Sequence, residues 1–166
     1  MTTAADPPEA VSPKLPEELR ATLRLVGSVM QAASEPWWII GSAAVALHGA
    51  GSIAVADVDV VLSECDAARI TARLGLVQAR KSPHPRFRSS ALVTWNETPL
   101  PVEFMAGFHL HDGDGWAPLK PITRLAIVID STVLYAPERQ EMQEILTRFG
   151  RPKDLERRRL LVATRA

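Results

Sequence analysis

The chain has 166 residues, of which 46% are apolar and 23% charged, which is ordinary globular composition. Collagen, coiled coil and wholesale disorder are excluded, and the length fits one domain of the common ~100–150-residue class. Nineteen basic residues balance nineteen acidic ones, so the chain as a whole is no basic nucleic-acid coat. One cysteine, Cys65, permits no intramolecular disulfide and argues against an oxidised secreted scaffold.

The start, Met1 to Asp6, lacks the basic and apolar regions of a signal peptide, and the chain reads as cytoplasmic. Trp37 to Ala56 carries no formal charge over the ~20 residues that a spanning helix needs. Gly41, His48, Gly49 and Gly51 interrupt it, and no Lys or Arg cluster flanks it. A buried strand, a turn and a buried helix read equally apolar, so no membrane span is expected.

Residues 1–16 hold Pro7, Pro8, Pro13 and Pro16 and read as a flexible tail, leaving 17–166 as a single domain. Leu15, Leu19, Leu23, Val26 and Met30 recur at helical spacing, predicting an amphipathic helix over 17–33. Trp37 to Ile40 reads as a buried strand, with both tryptophans in the core. Ala43 to His48 reads as a short helix capped by Ser42 and stopped by Gly49. Asp57 to Leu62 reads as a second strand, and residues 66–74 as a helix ended by Gly75. Leu76 to Arg80, Leu92 to Trp95 and Pro101 to Met105 read as β-like runs, followed by a Gly- and Asp-rich loop at His111 to Trp116. Leu125 to Ile129 and Thr132 to Tyr135 read as edge strands. Pro137 opens a helix to Phe149, and a last helix covers Lys153 to Ala163. The expected class is α+β: a mixed β-sheet with flanking helices and a C-terminal helical segment.

Asp57 and Asp59 carry the sharpest chemical signal. Carboxylates at i and i+2 of a strand share a face, which leaves Val58 and Val60 to the core. No Lys or Arg lies close to them in sequence, and a divalent cation such as Mg²⁺ would relieve their repulsion. Gly41-Ser42 joins a strand to a helix, where a glycine lets backbone approach a phosphate and a hydroxyl can donate to it. Glu103 sits between Val102 and Phe104, an expensive place for an acid unless it is paired or bound to metal. The three carboxylates could form a two-metal site for in-line phosphoryl displacement.

Two stretches are basic: Arg80 to Arg88, and Arg151 to Arg159 on the last helix. Either could contact phosphates of a nucleotide or RNA, or simply face solvent. His109, His111, Asp112 and Asp114 fit no firm metal spacing and read as loop. Nothing near Cys65 suggests an activated thiolate.

Ile40-Gly41-Ser42, then Asp57-Val58-Asp59-Val60, then Glu103, together resemble the nucleotidyltransferase superfamily that includes DNA polymerase β. Ala43-Ala44-Val45-Ala46-Leu47-His48-Gly49 and Gly150-Arg151-Pro152-Lys153-Asp154-Leu155 are similar to segments of its minimal bacterial members, including abortive-infection and toxin–antitoxin toxins. The resemblance covers roughly 36–160. It implies a nucleotidyltransferase fold and a metal-dependent enzyme moving a nucleoside monophosphate from an NTP to a hydroxyl of an RNA, a protein or a small molecule. Asp57, Asp59 and Glu103 would be catalytic and would bind Mg²⁺ (or Mn²⁺). Gly41, Ser42 and Lys153 would hold the nucleotide. A tRNA or protein acceptor and a cognate antitoxin are the implied partners. Family members often carry Arg-x-Thr before the first Asp, where this chain has Ile53 and Val55. The alternative reading is therefore a degenerate, non-catalytic binding module of the same fold.

Overall fold

Short apolar runs broken by single acids form the centre of the molecule. The computed structural model describes residues 13–78 and 83–164. Most of the expected tail, 1–12, lies outside the described residues. The first helix, α1, spans Glu17–Met30 and buries Leu19, Leu23, Val26 and Met30, the stripe read from the sequence. It ends three residues earlier than predicted.

β1 (Trp38–Ile40) is followed at once by α2 (Gly41–Leu47). β2 (Val58–Leu62), α3 (Glu64–Leu74) and β3 (Phe87–Arg88) come next. β4 (Ala91–Trp95) and β5 (Val102–Ala106) then complete a four-stranded sheet in the order β1-β2-β5-β4. Only β2 and β5 run parallel; β1 and β4 are antiparallel to their neighbours. α2 packs on β1 and β2, and α3 on β5 and β4.

β6 (His109–His111) and β7 (Trp116–Pro118) join β3 in a small second sheet. β8 (Leu125–Ile129) and β9 (Thr132–Ala136) pair only with each other among the described residues. They are thus a separate ribbon under α1 and not edges of the main sheet. α4 (Arg139–Phe149) and α5 (Pro152–Ala163) pack against each other and against α2.

Four expectations need correction. Ser42 does not cap α2: the helix begins at Gly41, with Ile40 at the cap and no side-chain cap bond. Gly41 takes φ +68°, and this left-handed turn starts the helix two residues sooner than expected. Pro137 lies outside α4, whose cap is Glu138. Leu76 to Gln78 form no strand, and the rest of that predicted run, 79–80, lies outside the described residues. The predicted loop at His111–Trp116 is narrower than expected, being the turn of the β6–β7 hairpin.

Polar side chains fix how these parts meet. Thr22, wholly buried in α1, donates to the Glu18 carbonyl (2.8 Å) and accepts from the Leu100 amide (3.0 Å) just ahead of β5. Asp66 of α3 accepts the Ser34 and Glu35 amides (3.0 and 2.9 Å) and so holds the approach to β1. Burial pushes the Asp66 carboxyl up, but those amides with the Ser34 and Ser63 groups outweigh it and hold it below the usual range. His48, after α2, meets the Pro137 carbonyl at 2.8 Å. A carbonyl only accepts, so Nε2 carries the proton. Arg139 of α4 then donates to the His48 carbonyl (2.6 Å) and to the Leu161 and Thr164 carbonyls at the end of α5 (2.9 and 2.7 Å). One guanidinium thus caps two helix ends, where positive charge is favourable.

Candidate functional site

β2 and β5 have the same burial pattern, in which the acid is the one residue not fully buried. In β2 this residue is Asp59, and in β5 it is Glu103. Strand register puts them side by side. Ile40, Asp59, Glu103 and Thr94 form one row across all four strands. Val60 and Phe104 point to the opposite face and are buried. Asp57, two residues before Asp59, shares its face by the alternation of extended chain.

The ligand atoms offered by Asp57, Asp59 and Glu103 all lie within 4.8 Å of one another. Among the described residues this is the one cluster of three or more His, Cys, Asp or Glu groups able to hold a metal ion. All three are half-buried, open to an ion from one side. Hard carboxylate oxygens at such separations suit Mg²⁺ or Mn²⁺. Among the described residues the His109–Asp114 segment gathers no such cluster, and His109 and His111 lie in β6 and not in a loop. Cys65 is exposed on α3.

Gly41 lies against this group. A Cβ built on it would come 3.0 Å from Asp59 Oδ2. The missing side chain therefore makes room for the carboxylate itself, whereas the sequence pointed to room for an incoming phosphate. Ser42 is nearly buried as the second residue of α2.

The acids open into a cleft of about 1140 Å³. Ile40, Gly41, Ser42, Asp57, Asp59 and Glu103 line one part of it, and Leu92 and Met105 continue its floor. Lys153, exposed on α5, lines it as well, so every residue singled out for the site meets in one place.

Sequence reasoning missed the aromatic part. Phe87 from β3 packs against Phe108 and Phe149, with ring centroids 6.0 and 5.3 Å away. The Arg151 guanidinium lies 4.9 Å from the Phe87 ring, and that of Arg88 lies 4.4 Å over Trp116. All six line the cleft. The only local hint was Arg86-Phe87-Arg88, an aromatic inside a basic run. The two basic stretches, more than sixty residues apart, meet here: Arg151 stacks on Phe87, and Arg88, Arg151, Lys153 and Arg157 line one cleft.

No protein-family model matches the chain. No curated protein matches it either. Solved structures do. A candidate nucleotidyltransferase from Thermotoga maritima aligns over 95% of this chain and 100% of its own, with a TM-score of 0.70 at 18% identity. The antibiotic-resistance factor ANT(2'')-Ia in complex with adenylyl-2''-tobramycin aligns over 85% of this chain and 87% of its own, with a TM-score of 0.54 at 14% identity. An antigenic nucleotidyltransferase-like protein from Paracoccidioides brasiliensis aligns over 92% and 78%, with a TM-score of 0.53 at 14% identity. Identities this low speak for architecture alone, and the chain has the nucleotidyltransferase fold.

Proposed function

We propose that the protein transfers a nucleoside monophosphate from an NTP to an acceptor hydroxyl. The observation that carries this reading is the row Asp59–Glu103, with Asp57 beside it and Gly41-Ser42 against it, at the head of one large cleft. Asp57, Asp59 and Glu103 would hold Mg²⁺ or Mn²⁺. Such ions stabilise charge on the attacking and leaving oxygens of a phosphoryl displacement. Glu103 would also accept the proton of the acceptor hydroxyl. Gly41, Ser42 and Lys153 would seat the nucleotide, so that the chain's part in catalysis is positioning and charge complementarity.

The neighbour solved with adenylyl-2''-tobramycin supports nucleotidyl transfer on this fold. The acceptor here is a hydroxyl of an RNA, a protein or a small molecule. A tRNA acceptor, a cognate antitoxin and a cytoplasmic setting rest on the resemblance and composition. Among the described residues no helix is long and apolar enough to cross a membrane.

One observation favours a second reading: Ile53 and Val55 stand where family members often carry Arg and Thr. A degenerate module of this fold would bind nucleotide without transfer. Incubation with each α-labelled NTP, Mg²⁺ or Mn²⁺ and total RNA or lysate separates the two. Label on an acceptor, lost in Asp57→Ala and Asp59→Ala, is the expected result. Nucleotide binding without transfer under every metal and acceptor would establish the module.

A further inference from the structure

Asp154 is the third residue of α5 and is wholly buried. It is the N3 acid of a capping box, a contact that works at exposed helix starts and does not require burial. This one holds two arginines. Its oxygens accept from Arg151 Nε at 2.6 Å and Arg151 Nη2 at 3.1 Å, a two-pronged contact, and lie 3.6 Å from Arg157 Nη1. The Arg151 amide also donates to Asp154, at 3.3 Å. The rings of Phe87 and Phe149 flank the Arg151 guanidinium at 4.9 and 5.8 Å. Arg151 is thus fixed by charge, by a paired hydrogen bond and by stacking.

Both arginines line the cleft that contains the carboxylates. A guanidinium has five N–H donors, and Asp154 takes only two of Arg151's in direct bonds. The rest can meet an anion without reordering the side chain.

We propose that Asp154 is a positioning residue that presents Arg151 and Arg157 as a preset fork for the polyphosphate of the donor nucleotide. The inference rests on the nucleotidyl-transfer reading for the identity of its ligand. It adds a preset, multi-pronged contact to the single exposed charge of Lys153. Preorganisation of this kind removes the entropy cost of fixing long side chains at the moment of binding.

The test is calorimetry with magnesium tripolyphosphate, which has the anion and lacks the base, sugar and reacting ester. Arg151→Gln and Arg157→Gln should each weaken binding by about 10-fold, the scale of one charged hydrogen bond. Asp154→Asn should weaken it comparably in the parent chain. In the Arg151→Gln/Arg157→Gln background the same change should have no further effect, since a positioning residue acts only through what it positions. A purely structural Asp154 would lower Tm and either leave the Kd unchanged or weaken it in both backgrounds, and either result overturns the proposal. If Asp154→Asn does not fold, the two arginine variants decide, and an unchanged Kd in both overturns it. A parent chain that does not bind tripolyphosphate also overturns it. Labelled-NTP transfer run in parallel separates this inference from the function it rests on. Fork-dependent binding without transfer removes the enzyme and keeps the fork. Transfer whose KM for NTP ignores both arginines keeps the enzyme and removes the fork.

Discussion

Asp59 and Glu103 are register partners across the parallel pair β2–β5, more than forty residues apart in sequence and adjacent in the sheet. Glu103→Gln should therefore keep the fold, because the amide fits the same half-open place, with a stability change within about 1 kcal/mol. Transfer should fall by about 10²–10⁴-fold, since the amide neither balances metal charge nor takes a proton. Rates from labelled NTP, alongside a thermal melt, check both parts. Undiminished transfer would remove Glu103 from the reaction.

Gly41 offers a sharper contrast. Gly41→Ala pays for a left-handed backbone, about 1–2 kcal/mol, and also brings a methyl to 3.0 Å from Asp59 Oδ2. Gly49 has a similar φ of +72°, and a Cβ there would meet nothing within 4 Å. Both alanine variants should lose a few degrees of Tm, but only Gly41→Ala should lose Mn²⁺ binding by calorimetry. Equal Mn²⁺ affinities would show that Asp59 does not need the space.

His48 gives a pH dependence. Burial holds its pKa below the usual 6.5; the Pro137 carbonyl opposes this, and the nearby Arg139 charge adds to it. The unfolded chain therefore takes up a proton at a higher pH than the folded one. The stability contributed by neutral His48 is full above about pH 6.5 and falls as pH drops from there towards the folded value. Urea midpoints should rise between about pH 5 and 7, and His48→Gln should flatten that slope. A slope identical in the variant would assign the titration elsewhere.

The acids were legible in the sequence because each interrupts an apolar run: Asp57 and Asp59 around Val58, and Glu103 between Val102 and Phe104. Most central elements were legible for the same reason, to within a residue or so. β3, β6 and β7 were not, since two or three residues cannot display a period of two. β8 and β9 were read as edge strands, but not that, among the described residues, they would pair only with each other. The aromatic part of the cleft was invisible because Phe87, Phe108 and Phe149 meet only through tertiary packing. Asp154 looked like one more acid on a basic helix, and only its burial between two arginines sets it apart.

Thr22 reaches from α1 to the Leu100 amide, three residues ahead of Glu103. The helix is thereby an alignment pin for β5. Side chains alternate along a strand, so a slip of one residue there would turn Glu103 to the far side and bring an apolar neighbour to its place. No intermediate setting exists between those two positions. Loss of the pin would thus act on the headcount of competent molecules and not on the quality of each one. A partly loosened sample would show fewer working sites, each with the affinity and rate of the intact protein.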